Sequence, residues 1–171
     1  MKMKKLIICA ICAICGITTA NAQGKFGHVN TQEIMQALPE VTKVQTDMKA
    51  LQDQYEADLK SMYDELQKKG EAFDKEQATL PENIKQRRQQ EIIDMQQKIQ
   101  QSAQDNNQAL QKAYQEKMQP IQKKVMDAIE AVGKDGNYVY IMEMGMGQPI
   151  YISTTLSTDV TAQVKTKLGL K

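Results

Sequence analysis

The chain has 171 residues, of which 25% are charged and 5% aromatic, and its formal net charge is +1. This near balance argues against nucleic acid as a partner, because phosphate recognition requires a concentrated positive field. There is one histidine, and all three cysteines precede residue 23, so the remaining chain lacks the ligands of an ordinary zinc site. With no metal-ligand spacing and no glycine-rich phosphate loop, the sequence offers no catalytic constellation.

Residues 1–22 have the features of a cleaved export signal. Three lysines among the first five residues precede an apolar run from Leu6 to Ile17, and small residues then lead to Ala22, after which we place the cleavage. The run is shorter than a bilayer span, which disfavours the alternative of a membrane anchor. Cleavage leaves 19 basic and 21 acidic side chains and no cysteine. We therefore expect an exported, slightly acidic protein without disulfides.

Residues 23–38 are predicted to form the first part of a small β-body. Lys25–Asn30 has the composition of a short strand that ends in a polar turn. Thr31–Leu38 can then form a brief helix with one apolar side. His28 has no second histidine or cysteine to share a metal with, so we expect a structural role for it.

Residues 39–132 are predicted to form a long helical hairpin. The stretch from Val41 to Val132 contains one glycine and two prolines, and its apolar residues recur with 3-4-4 spacing every eleven residues. This period of about 3.67 residues per turn keeps a narrow apolar seam nearly straight along each helix, and the other faces must remain in water. The seam positions are Met48, Leu51, Tyr55, Leu59, Met62, Leu66, Gly70, Phe73 and Gln77 in the first arm, and Ile92, Met95, Ile99, Ala103, Asn106, Leu110, Tyr114, Lys117, Ile121, Val125, Ala128 and Val132 in the second.

The predicted tip of the hairpin is the pentad Thr79, Leu80, Pro81, Glu82 and Asn83. Thr79 and Glu82 have the spacing of a capping box, and Pro81 suits a first helical turn. One helix is therefore expected to end here and another to begin. With about 40 residues in the shorter arm, the hairpin would project roughly 60 Å.

Residues 133–171 are predicted to complete the body. After a glycine-rich turn, Tyr138–Glu143 and Ile150–Ser153 have the composition of strands, and the first is apolar on both faces and expected to be buried on both. Residues 157–159 offer a cap for a short amphipathic helix over Val160–Leu168.

The predicted fold class is α+β and mostly α, with a long antiparallel helical hairpin on a small β-body. Three short strands cannot form a stable sheet domain alone, and roughly 55 residues outside the hairpin bury little core. We therefore expect several subunits to contribute strands to one body. The residues predicted to lie in these strands are Phe26, Val29, Val139, Ile141, Ile150 and Ile152.

Three segments carry a resemblance to a known family: KFGHVNTQEIMQALPEV, YVYIMEMGMGQPIYIS and LSTDVTAQVKTKL. Together with the Gln-rich, charged middle, they make residues 24–168 similar to the Skp/OmpH family of periplasmic chaperones. The most specific parts are Gly27–Asn30, with Pro39 downstream, and Asp159–Thr161. The resemblance implies a periplasmic homotrimer with a β-barrel body and three helical arms around a cavity. It also implies that unfolded outer-membrane β-barrel proteins are held in this cavity without ATP.

Candidate client contacts are Tyr63, Met118 and Met126. These residues lie one position off the seam, and flexible methionine side chains adapt to irregular partners. The methionines that lie in register are assigned to the seam itself.

Candidate hinges are Pro120 and Gly70. A proline inside a helix removes the hydrogen bond to the carbonyl four residues back, here that of Glu116. If the tip lies near residues 80–81, Pro120 is level with Pro39–Val41 at the base of the hairpin. A fixed kink without motion remains an open alternative.

The charge of this chain departs from that of the family. Well-known members are strongly basic, and a lipopolysaccharide-binding patch has been proposed for them, whereas the strongest positive cluster here is Lys85, Arg87 and Arg88 near the tip. We therefore do not carry over lipopolysaccharide binding, and we expect client capture to depend less on charge. The alternative function is a structural coiled-coil spacer or adaptor of the cell envelope. No enzymatic activity and no cofactor are expected.

Overall fold

The computed structural model describes residues 24–145 and 151–170 as one hairpin of two long helices on a small base. The predicted export signal and Ile150 lie outside these ranges. The elements in chain order are β1 (Lys25–Val29), α1 (Thr31–Ala37), α2 (Pro39–Glu76), α3 (Glu82–Asp135), β2 (Tyr138–Glu143), β3 (Ser157–Asp159) and α4 (Thr161–Lys167). The prediction of a mostly helical α+β fold with a long hairpin is confirmed. Within the described ranges, no helix is apolar over a length sufficient to cross a membrane.

Helices α2 and α3 pack along the apolar seam. Helix α2 has 38 residues, so the arm extends about 57 Å at 1.5 Å per residue. All nine seam positions predicted in the first arm are buried or half-buried, whereas most residues between them are exposed. The seam on α3 departs from the predicted register at Tyr114 and Lys117, which are exposed. Here the buried side chain is Met118, because α3 near the base packs against more than one neighbouring helix and buries a wider face.

Three ion pairs between the arms define their register. Glu40 contacts Lys124 at 2.6 Å, Asp47 contacts Lys117 at 3.1 Å, and Glu76 contacts Arg88 at 2.6 Å. All three pairs share one antiparallel alignment, and in it Pro120 lies opposite Val44. Pro120 is therefore about one helical turn farther from the base than the predicted level of Pro39–Val41.

The tip differs from the predicted capping box. Helix α2 ends at Glu76, and the hydroxyl of Thr79 donates to the Glu76 carbonyl, so Thr79 closes the first helix instead of opening the second. Pro81 occupies the N-cap of α3 with extended backbone, and its carbonyl accepts from the amides of Ile84 and Lys85. The capping-box prediction is wrong because the Thr79 hydroxyl bonds instead to a carbonyl at the end of α2 that has no partner within the helix.

The sheet has the order β2-β1-β3, and both outer strands run parallel to β1. The predicted last strand at Ile150–Ser153 is wrong: Tyr151–Ser153 has no regular structure, and β1 pairs with Ser157–Asp159. Residues 157–159, predicted to offer a helix cap, form strand β3, and the last of them, Asp159, also accepts a hydrogen bond from the first amide of α4, that of Thr161. Asp is depleted in strands, but β1 supplies backbone partners for this segment and the Val160 amide donates to the His28 carbonyl.

The core lies where the sheet, the short helices and the lower part of α3 meet. Its almost fully buried side chains are Val29, Ile34, Leu38, Val160 and Val164. The face of α3 toward the base completes the same cluster. The base thus has one packed layer, with the helices covering a single face of the three-stranded sheet.

Replacing Gly70 with Ala is expected to raise the urea midpoint of unfolding. Gly70 lies inside α2, and an added Cβ would meet no atom within 4 Å. Alanine should therefore stabilise the helix by about 1 kcal/mol through its higher helix propensity. The control is Gly136→Ala, whose Cβ would overlap the Tyr138 ring and should lower the midpoint. A lower midpoint for Gly70→Ala would contradict the packing described.

The pairs between the arms should make stability depend on pH. The hydrogen bond from Lys124 lowers the pKa of Glu40, and the hydrogen bond from Lys117 lowers the pKa of Asp47. A carboxyl with a lowered folded-state pKa contributes stability above its unfolded pKa, near 4, and loses it as the pH falls through the folded pKa. We expect the urea midpoint to decrease as the pH is lowered from about 5 to about 3, the range in which these carboxyl groups titrate.

The variant Lys117→Met/Lys124→Met should show a smaller fall in midpoint over the same pH range. The matched control is Lys68→Met/Lys98→Met, which removes two exposed lysines that form no ion pair within the described part of the chain. Equal pH dependence for wild type and Lys117→Met/Lys124→Met would exclude these pairs as the cause.

Candidate functional site

The candidate client contacts on the arms have different environments. Tyr63 on α2 is 55% exposed and Met126 on α3 is 62% exposed, so both side chains are available to a partner. The prediction that Met118 is exposed is wrong, since it is only 6% exposed and belongs to the core cluster. Sequence spacing placed Lys117 in the seam at this turn, but the ammonium group remains in water and pairs with Asp47 while the apolar neighbour is buried.

Pro120 lies on the exposed side of α3, and the helix continues through it from Glu82 to Asp135. Proline has no amide hydrogen, so the Glu116 carbonyl has no i+4 backbone donor at this point. Gly70, the other candidate hinge, lies in the interior of α2 with open space beside it. Both arms therefore contain one locally weakened turn within an otherwise continuous helix.

The outer face of the sheet is apolar, and no element among residues 24–145 and 151–170 covers it. The rings of Phe26 and Tyr140 contact each other with centroids 4.8 Å apart, and Met142 lies beside them on the same cleft of about 200 Å³. Tyr151 is 80% exposed and Leu156 is 64% exposed at the edge of this cleft. Such a concentration of exposed large apolar side chains is unusual for a surface that stays in water.

The predicted body-strand residues divide between the two faces of the sheet and the segment beyond it. Val29 is buried and Ile141 packs against the core, while Phe26 is half-buried on the open face. Val139 is 64% exposed, so the prediction that β2 is buried on both faces is wrong. Ile152 lies outside any strand but lines the open cleft. Sequence reasoning missed Leu156 as a residue of the open cleft. It falls in a turn, where no alternation of apolar and polar residues indicated a strand face.

A second concave surface runs along the base of α3 and β2. This groove of about 670 Å³ is lined by Met126, Ile129, Gly133, Tyr138 and Ile141, among others. The Tyr138 hydroxyl is buried and has no hydrogen-bond partner within the described residues. The Tyr138 ring is held from one side by the Lys25 ammonium, 4.2 Å from its centroid. The groove thus continues the apolar surface from the sheet onto the exposed Met126 of the arm.

Two titratable side chains of the base, His28 and Asp159, lie on strands of the sheet. Nδ1 of His28 lies 2.8 Å from the Ser157 hydroxyl, which joins β1 to β3. Burial opposes ionisation of Asp159, but hydrogen bonds from Thr161 and the nearby His28 outweigh it and lower the pKa of that carboxyl. Among residues 24–145 and 151–170, no three His, Cys, Asp or Glu side chains converge in a way that would hold a metal ion.

The basic cluster at the tip is partly neutralised. Arg88 is 2.6 Å from Glu76 on the opposite arm, and Arg87 is 3.7 Å from Glu91 one turn along α3. Two of the three cations at the tip therefore contact carboxylates of the same chain.

Comparison with known proteins supports one assignment. Residues 25–168 match the family model described as outer membrane protein (OmpH-like). A solved structure of a putative outer membrane chaperone (OmpH-like) from Caulobacter crescentus CB15 has the same fold, with a TM-score of 0.73 at 12% sequence identity, covering 85% of this chain and 83% of that one. No curated protein sequence matches the chain. Because the family model spans most of the sequence, the chain belongs to the OmpH-like outer membrane protein family.

Proposed function

We propose that this protein is an ATP-independent holdase of the periplasm that binds unfolded outer-membrane proteins and prevents their aggregation. The observation that carries the proposal is the combination of a polar arm of about 57 Å with a base whose sheet leaves an apolar face open. An unfolded barrel protein exposes apolar segments and unpaired strand edges in water, and it needs many weak contacts that keep these segments apart. Long arms around a shared space can supply such contacts without a nucleotide cycle.

The body is proposed to form from several copies, most simply three. Both outer strands, β2 and β3, have one edge without a partner in the described part of the chain. The open face carries the contacting rings of Phe26 and Tyr140, and Leu156 is exposed beside them. Burying such a face between subunits removes apolar area from water, and pairing the edges satisfies backbone groups. A homotrimer with the arms pointing the same way would enclose a cavity.

Client contact is proposed for Tyr63 and Met126, which are exposed on the arms. The mature chain is close to neutral, so these contacts should depend mainly on apolar and hydrogen-bonding groups. Export through the predicted signal of residues 1–22 would place the protein in the compartment that such clients cross.

A structural spacer of the cell envelope is the alternative function. A spacer also uses a long hairpin, but it has no need for an apolar sheet face that is open in the single chain. The two proposals differ in whether the assembled protein retains an unfolded client.

Light scattering of the mature protein, alone and with a urea-unfolded outer-membrane barrel protein diluted into it, tests the proposal. We expect a discrete oligomer, a trimer by the simplest account, that keeps the client soluble in a defined complex without nucleotide. Adding ATP should change nothing. A monomer or dimer that leaves client aggregation unchanged would sink the holdase proposal and favour the spacer.

We further propose that Pro120 is a hinge that lets the arms adjust to clients of different size. The arm loses a backbone hydrogen bond at this turn, on the exposed side of α3. Pro120→Ala should restore that bond, and the distribution of distances between arms should become narrower. Because the mature chain has no cysteine, a single Asn83→Cys substitution places one spin label near each tip. Double electron–electron resonance then measures the distances.

The matched control for the hinge is Gln119→Ala, at the neighbouring exposed position. This substitution removes no proline and should leave the width of the distance distribution as in wild type. An unchanged width in Pro120→Ala would remove the hinge proposal, while leaving the holdase proposal untouched.

A further inference from the structure

Between residues 89 and 126, one face of α3 carries amide side chains and no charge. Residues eleven positions apart lie in one column along the helix surface, because eleven residues complete about three turns. From residue 89 to residue 126, three neighbouring columns contain only Gln, Asn, Ile and Met. We call the exposed part of this surface between residues 89 and 122 the amide face. Its members are Gln89, Ile93, Gln96, Gln100, Gln104, Asn107, Gln111, Gln115 and Gln122.

The charges of α3 are segregated from this face. Over the same stretch the charged side chains all lie on the opposite half of the helix circumference: Glu91, Asp94, Lys98, Asp105, Lys112, Glu116 and Lys117. A solvated helix surface has no need for such segregation, since charges of both signs normally intersperse around it.

The amides of the face are also free, in contrast to other glutamines of the same helix. Gln90 donates to Asp94 at 2.6 Å and Gln101 donates to Asp105 at 2.8 Å, both on the charged half. Within the described residues, the glutamine side chains of the amide face take part in no hydrogen bond of this kind. Each free amide offers both a donor and an acceptor to a partner.

The chemistry of the face fits the backbone of an extended polypeptide. A peptide group has the same donor and acceptor as a glutamine amide, and an unfolded chain leaves these groups unpaired. From residue 89 to residue 122 the face is about 50 Å long, which matches roughly 15 residues of extended chain. A neutral surface also avoids the cost of removing a charge from water when the partner covers it.

A second copy of the chain fits the face poorly. A stable interface between subunits needs a well-packed apolar centre. Between residues 96 and 115 the face contains only Gln and Asn, so its centre would bury amides alone. Its one apolar member, Ile93, lies near one end of the face, and the exposed Met126 lies just beyond the other end.

We propose that the amide face is the track along which α3 holds the extended backbone of an unfolded client, through side-chain amide hydrogen bonds that do not depend on client sequence. This inference rests on the proposed holdase function and specifies which surface performs it. Apolar client side chains contact Ile93 and Met126 at the ends of the track.

The experiment compares two double variants of the full mature protein. Gln100→Lys/Gln111→Lys places two charges on the amide face, eleven residues apart in one column. Gln90→Lys/Gln101→Lys adds the same two charges, with the same spacing, on the charged half, where Asp94 and Asp105 can pair with them. Lysine and glutamine have similar helix propensity, so both variants should fold, and circular dichroism checks that they do.

The probe is a fluorescently labelled, urea-unfolded outer-membrane barrel protein diluted into each variant. We expect the face variant to bind the client about tenfold more weakly, which is the change that the loss of one or two net hydrogen bonds would cause. The affinity of the control variant should stay within about twofold of wild type. Wild-type affinity should change little between low and high salt, because neutral amides are not screened.

The outcomes separate this inference from the holdase proposal. If wild type retains no client, the holdase proposal fails and the track fails with it. If wild type binds and both variants bind equally well, the amide face is a solvated surface and the inference is overturned while the holdase stands. If the face variant alone changes the oligomer size without client, the face is a subunit contact and the inference is likewise wrong.

Discussion

The narrow seam between α2 and α3 is the constraint on which the rest of the structure depends. Its eleven-residue period keeps one apolar stripe straight along each helix, so two helices can pack over about 57 Å without a third. The same narrowness leaves most of each helix surface in water. The arm therefore cannot bury further apolar area within one chain, and any additional stability must come from the base. Ion pairs such as Asp47–Lys117 fix the register of the seam but are too exposed to replace that area.

The base shows how little apolar area a single chain can bury. One face of the sheet packs on the helices, with Val29 and Ile34 almost fully buried. On the other face Tyr140 is exposed, and Tyr151 and Leu156 are exposed beside it. A protein that leaves such a surface open in one chain has a reason to assemble. Assembly would place the arms side by side, and surfaces that are only solvated in the single chain would then line a shared space. In that setting the free amides of α3 would be available to the proposed client.

Periodicity made the hairpin predictable, because an apolar stripe that repeats every eleven residues along two arms is typical of paired long helices. Local signals were less dependable where a tertiary partner competed with them. Thr79 had the spacing of a capping box but bonded to the end of the preceding helix. Ser157–Asp159 had a polar composition but became a strand because β1 offered it backbone partners. Met118 was misplaced because the seam widens near the base. The segregation of charge on α3 is visible in the sequence, whereas the freedom of its amides required the side-chain contacts.

The concentration dependence of unfolding tests most directly the claim that the base is incomplete in one chain. Urea unfolding of the mature protein would be followed by circular dichroism over a hundredfold range of protein concentration. If several copies complete the body, the midpoint must rise with concentration, because assembly stabilises the folded state by mass action. A midpoint that stays constant, with a monomeric folded state, would contradict the account and would mean that the open face of the sheet is stable in water by itself.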